Sequence, residues 1–154
     1  YSESIKQPET WPARFESGTC NGPGLAGLAE GIAEVQELGF DNITAHEGRL
    51  VDLIVAGISE FPGVILYGPK DRRSCIGTLS FNVKELDCSE VAHILDTAYS
   101  IAVRSGLHCA PAAHRTLGTL PHGTLRVSVG PYNTEDEIHT FINAVGEIIK
   151  FRSK

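Results

Sequence analysis

No apolar run in this 154-residue sequence approaches the roughly 20 residues that a membrane-spanning helix needs. Nor is there a long basic run. The nearest is Arg72-Arg73, with Lys70 and Asp71 just before it, in a chain whose formal net charge is -6. Binding to phosphate backbones needs clustered positive charge, so a non-specific nucleic-acid surface is not expected. The four cysteines, Cys20, Cys75, Cys88 and Cys109, form no CxxC pair and match no zinc spacing. None of the six histidines lies in HExxH. A charged, apolar, small-residue signal segment is also missing. A reducing, cytoplasmic setting with free thiols is the expectation that follows.

The composition is that of a folded globular protein: 42% hydrophobic and 21% charged. The length suits one domain of ordinary size, able to bury a core without metal or disulfide staples. The chain starts oddly. Tyr1 is not a methionine, and Tyr1 to Asn21 is polar and lacks periodicity, so the start reads as an arm of something longer. Residues 1–23 are irregular, punctuated by Pro8, Pro12, Gly18, Gly22 and Pro23.

From Gly24 a helical period begins with Leu25, Leu28, Ile32 and Val35, and Gly39 is its expected stop. Gly27 and Gly31, four apart, suggest that another backbone approaches closely. A second helix is expected over 41–61, apolar on one face except at Glu47, with Gly57 as a weak point and Pro62-Gly63 as its end. Val64 to Tyr67 and Ile76 to Val83 read as strands around a turn at Asp71-Arg72-Arg73. In the second, Leu79, Phe81 and Val83 alternate with Thr78, Ser80 and Asn82, giving one apolar and one polar face. Asp87 with Glu90, and Thr134 with Glu137, are capping boxes that open two further helices. Ile101 to Arg104 reads as a short extended piece and Ser105 to Pro121 as a loop-rich stretch. Leu125, Val127 and Val129 alternate with Arg126 and Ser128 in a last strand. Strands alternating with helices predict a two-layer α/β domain from about residue 40 to 154.

Cys109 is the sharpest chemical candidate. It sits in a turn-rich segment beside His108, where a thiolate nucleophile is one reading and a cysteine filling a hole is the other. Arg126 is the second: its donor fork matches a carboxylate, although a strand arginine can equally face solvent or form a structural ion pair. Arg104 faces the same choice. Gly18-Thr19 offers backbone amides and a hydroxyl suited to a phosphate, or simply a turn. Cys20, Cys75 and Cys88 read as structural or incidental, and the remaining histidines show no ligand spacing.

Three ordered motifs resemble a known family. Arg14-Phe15-Glu16-Ser17-Gly18-Thr19-Cys20-Asn21 is similar to the RFExGTxN stretch of class V aminotransferase-like enzymes. Ala102-Val103-Arg104-Ser105-Gly106-Leu107-His108-Cys109-Ala110 resembles the AVRxGxHCA loop of cysteine desulfurases, especially the SufS and selenocysteine-lyase-like branch. Arg126-Val127-Ser128 with Tyr132-Asn133-Thr134-Glu135 resembles their RxSxxxYNTxEE close. The resemblance covers the whole chain but only about the last two-fifths of a typical member.

The resemblance implies the C-terminal small α/β domain of a fold-type I pyridoxal-phosphate-dependent transferase, over residues 39–154, preceded by the end of the large-domain region, over 1–38. It implies a homodimeric parent enzyme that converts L-cysteine to L-alanine and leaves sulfur on Cys109 as a persulfide. A sulfur-acceptor protein or reductant would then remove that sulfur, as in iron–sulfur cluster assembly. Arg126 matches the residue that grips the substrate carboxylate. Gly18 and Thr19 match a phosphate contact to the partner subunit's cofactor, and His108 is a possible accessory. Selenocysteine lyase, another class V enzyme and a non-enzymatic sulfur-carrier module are the alternatives. The family's cofactor lysine follows a histidine, and no His-Lys pair occurs here, so the chain alone should neither bind pyridoxal phosphate covalently nor turn over cysteine. Cys20 replaces a proline common in the family's GTPN stretch.

Overall fold

The computed structural model describes Lys6 and residues 8–16, 18–69 and 76–152. Cys75, Lys70 and the Asp71-Arg72-Arg73 turn lie outside the described residues. The chain falls into two compact units, Tyr1–Phe40 and Asp41–Lys154.

In the first unit a 3-10 turn at Ala13–Phe15 precedes helix α1, Gly22–Leu38. The helix starts two residues before its apolar period does. Asn21 caps it, its Oδ1 accepting from the Gly24 amide at 3.0 Å, and Pro23 in the first turn needs no amide partner. The helix buries none of its side chains: Leu25, Leu28 and Ile32 are 60%, 60% and 51% exposed. A Cβ added at Gly27 or Gly31 would meet nothing within 4 Å, so among the described residues no neighbouring backbone explains these glycines.

The second unit is built on a four-stranded antiparallel sheet in the order β1-β2-β4-β3. Its strands are β1 (Val64–Tyr67), β2 (Thr78–Val83), β3 (Arg104–Gly106) and β4 (Thr124–Ser128). Helices α2 (Phe40–Ser59), α3 (Cys88–Tyr99), α4 (Pro111–Leu117) and α5 (Glu135–Arg152) surround it. The two-layer α/β arrangement expected from the alternation is the one observed.

The alternation in β2 and β4 sets the layers. Leu79, Phe81, Val83, Leu125 and Val127 are all buried, in one cluster with Ile54 of α2, Val91 and Leu95 of α3, and Phe141 and Val145 of α5. Phe81 and Phe141 meet edge to face at 6.1 Å between centroids. Gly57, read as a weak point, has a packing reason: a Cβ there would lie 2.5 Å from Ile142 Cδ1 of α5. Glu47, the charged residue on the apolar face of α2, lies against the entry to β2. A Cβ at Gly77 would be 2.7 Å from its Oε2.

The Thr134 box closes in both directions, whereas at Asp87 only the N-cap half is seen and the Glu90 carboxylate pairs with Arg152 instead. Asp87 accepts from the amides of Ser89 and Glu90 at 2.8 and 3.3 Å. Thr134 Oγ1 accepts from the Glu137 amide at 3.3 Å, and Glu137 accepts from the Thr134 amide at 2.8 Å. Asn133 completes this corner: its Oδ1 accepts from the Gly130 amide and its Nδ2 donates to Glu137. The segment 105–121, read as loop-rich, contains both the end of an edge strand and a helix of about two turns. The strand is only three residues long and the helix seven, too short for either period to show.

Candidate active site

The sheet's other face carries the polar members of the same alternation, and the candidate residues stand there. Register pairs Ser80 with Arg126 across β2 and β4, and Arg126 with Arg104 across β4 and β3. Directly paired residues share a face, so the two guanidinium stems rise side by side. Like charges directly opposite repel, so this arrangement disfavours the sheet unless an anion offsets it. Arg126 Nε is buried and has no hydrogen-bond partner among the described residues.

Immediately after β3 the chain turns back over this face. His108 and Cys109 both have positive φ, 52° and 59°, a left-handed conformation that side chains rarely adopt. Two successive such residues cost of order 1–3 kcal/mol each, which the surroundings must hold in place. His108 supplies the anchor. Its Nε2 donates to the Thr124 carbonyl of β4 at 3.1 Å, with the Thr124 hydroxyl 3.3 Å from the same nitrogen. That bond commits the proton of a neutral ring to Nε2, so Nδ1, buried and without a partner among the described residues, is the bare nitrogen. Burial, then the Arg126 charge, hold the His108 pKa below its ordinary 6.5. The Thr124 bond works against them, while His114 and Arg104 add to the lowering.

With His108 pinned inward, Cys109 is left exposed at the tip of the turn. Its Sγ accepts from Arg104 Nη2 at 3.8 Å, within reach of a sulfur acceptor. The structure therefore brings Cys109, His108, Arg126 and Arg104 to one corner of the polar face. Gly18 and Thr19 belong to the other unit and are exposed there; a Cβ at Gly18 would meet nothing within 4 Å. Cys20 is exposed and donates to Glu16 at 2.8 Å, and Cys88 is buried and donates to the His122 carbonyl at 3.2 Å.

Sequence reasoning missed the braces under this corner. Asn82 of β2 donates to the Gly123 carbonyl at 3.0 Å and accepts from the Leu125 amide at 3.3 Å, securing the start of β4 beneath His108. His114 of α4 is buried, 2.7 Å from Thr119 Oγ1, with its ring 5.6 Å from that of His108. Gly123, at φ 81°, lies so close to β3 that a Cβ would fall 2.2 Å from Gly106 C and O. The one sequence signal for Asn82 was its place in the polar alternation; its partners are about 40 residues further on.

The model of the family described as aminotransferase class-V matches residues 2–141. The chain belongs to the class-V aminotransferase family. Among curated members, a probable cysteine desulfurase of Pyrococcus abyssi is 39% identical over 139 residues, which are 90% of this chain and 34% of the relative. Among solved structures, the apo cysteine desulfurase of Thermococcus onnurineus NA1 superposes with a TM-score of 0.84 at 41% identity, over 90% of this chain and 34% of that one. The Escherichia coli cysteine desulfurase CsdA, in an S-sulfonic acid form, gives a TM-score of 0.81 at 27% identity, over 91% of this chain and 33% of its own. This class-V chain thus spans about a third of the length of the relatives it matches.

Pyridoxal phosphate is the cofactor the resemblance implies. Gly18 and Thr19, the residues that the resemblance assigns to its phosphate, are exposed and lie in open space, so a hydroxyl and backbone amides there are accessible to an anion. The described lysines offer no anchor of the family's kind. Lys84 sits in the turn after β2 beside Glu85, Lys150 lies near the end of α5, and Lys6 does not follow a histidine. Among the described residues no cluster could hold a metal ion, and no helix is long and apolar enough to cross a membrane.

Proposed function

We propose that this chain is the sulfur-accepting part of a pyridoxal-phosphate-dependent cysteine desulfurase, which converts L-cysteine to L-alanine with the sulfur left on Cys109. The observation that carries this reading is the corner itself: an exposed thiol bonded to one guanidinium, whose strand neighbour is a second with a buried Nε that lacks a partner among the described residues. The similarity to cysteine desulfurases supports it.

In this reading Arg126 binds the amino acid through its carboxylate. A planar fork meeting two oxygens fixes both position and orientation, and its otherwise unsatisfied Nε gains an acceptor. Fixing that end limits rotation of the substrate and holds its sulfur toward the turn. When bound, pyridoxal phosphate supplies an electron sink for the substrate's α-carbon. Gly18 and Thr19 would hold its phosphate, at the partner subunit's site in a homodimer.

Cys109 acts as a thiolate. Its Sγ forms a bond to the substrate sulfur while the substrate's carbon–sulfur bond breaks, the electron pair staying with the carbon that becomes the alanine methyl. His108 is a poor carrier of this proton, because its Nε2–H is spent on Thr124 and its bare Nδ1 is buried; its role is to hold the turn. The exposure of Cys109 lets an acceptor thiol or reductant reach the sulfur afterwards. The chain by itself is inactive, because the residue that anchors the cofactor is not among its own.

Mass spectrometry of the full-length protein, loaded with pyridoxal phosphate and given L-cysteine, tests the reading. The peptide bearing Cys109 should gain one sulfur atom, with one alanine released per sulfur, and Cys109→Ser should lose both. Unmodified Cys109 after turnover in the wild type would overturn it. Turnover of selenocysteine alone would move the assignment to a lyase for that amino acid.

A further inference from the structure

We infer that Arg104 is the positioning residue for anionic sulfur at Cys109, so that the two register-paired arginines divide the work: Arg126 takes a carboxylate and Arg104 takes the sulfur.

The pairing is the first ground. Arg104 and Arg126 stand directly opposite each other at the sheet edge, and neither is paired with a carboxylate among the described residues. Two unneutralised guanidiniums at that spacing are costly to the sheet by themselves, and each becomes favourable when it meets an anion of its own. The second ground is aim. The left-handed pair His108-Cys109 returns the chain toward the strand it has just left, so the thiol meets the side chain five residues before it, at 3.8 Å. The third is elimination at the site. His108 is next to Cys109 in the chain, but its one donor is taken by Thr124, and burial together with both arginine charges favours its neutral form.

The consequence reaches both halves of the proposed reaction, and this part rests on the desulfurase reading. In the forward half Arg104 holds the attacking thiolate in line. In the transfer half an acceptor thiolate attacks the outer sulfur of the persulfide. The bond between that sulfur and Cys109 Sγ breaks, its electron pair returns to Sγ, and Arg104 stabilises the leaving thiolate.

The test reads the charge at the sulfur without needing turnover. In the full-length protein, Cys109 is alkylated in parallel by iodoacetate, which is anionic, and iodoacetamide, which is neutral and of nearly the same size. The ratio of the two rate constants is compared among wild type, Arg104→Gln and Arg104→Lys. A general change in thiol reactivity or in folding moves both rates together and leaves the ratio alone. The ratio should fall about fivefold in Arg104→Gln, the factor expected for one charge about 4 Å away in a watery site, and Arg104→Lys should recover most of it. An unchanged ratio in Arg104→Gln, or a lysine variant no better than glutamine, would overturn the assignment. Since no L-cysteine is present, a protein that never acquires sulfur at Cys109 defeats the desulfurase reading while this ratio still decides whether Arg104 serves the thiol.

Discussion

The two faces of one small sheet are made from alternate residues of the same strands, yet they are organised by opposite physics. On one face Leu79, Phe81, Leu125 and Val127 are packed out of water in a single cluster with α2, α3 and α5. On the other, Ser80, Asn82, Arg126 and Arg104 make few contacts with one another beyond the braces that hold a turn, and the charges repel rather than pair. The first face is satisfied within the chain. The second sets two like charges side by side with no carboxylate against them among the described residues, and under the proposed function it is the working face.

The sharpest way to break the comparison is to damage each face once and ask which property follows. Phe81 is fully buried and faces Phe141 edge to face. Phe81→Ala should cost about 3–5 kcal/mol, from lost transfer energy plus the cavity left behind. The denaturant midpoint of the full-length protein should fall accordingly, with the affinity of the surviving folded fraction for the amino acid of the proposed function little changed. A shift below about 1 kcal/mol would mean that the apolar face is not the main support.

Damage to the opposite face should reverse the pattern. Arg126→Gln removes one of two facing like charges, so stability should hold or rise slightly. Under the proposed function, KM for the amino acid should increase roughly 10- to 100-fold, the range given by loss of a hydrogen bond to a charged group. Steady-state kinetics beside a denaturation curve separates the two effects. A midpoint that drops as far as in Phe81→Ala would make Arg126 a structural residue.

What the sequence shows of these two faces differs for the same reason. The apolar alternation over Leu79 to Val83, the N-cap at Asp87 and the capping box at Thr134 are local, and these local patterns survive into structure. Cys109, Arg126 and Arg104 were legible as candidates because each is an unusual residue in its own neighbourhood. That Arg104 and Arg126 are neighbours was not, since their pairing depends on β3 lying beside β4 after a helix has intervened. The brace by Asn82 spans 41 residues to Gly123 and follows from strand order alone. Gly27 and Gly31 of α1 show the reverse difficulty: four-residue spacing suggests close packing, and nothing in the described residues meets them.

The smallest effect belongs to the residue between the faces. His108 sits on the polar side but is anchored to Thr124, which is 1% exposed, and it is held below its ordinary 6.5 by burial first and by the arginine charges after. A histidine with a lowered folded-state pKa binds fewer protons folded than unfolded. Its contribution to stability is therefore complete above pH 6.5 and is lost as pH falls from there through the lowered folded-state value, because the unfolded chain takes up the proton first. His108→Asn keeps a side chain that tolerates the left-handed turn but does not titrate. Denaturation midpoints of the full-length protein should thus decline less steeply in this variant than in wild type between pH 6.5 and the acid end of the histidine range. The other histidines titrate in both proteins, so the difference between the two curves isolates this ring. Parallel curves would place the ring in water and remove the pin that this account puts beneath Cys109.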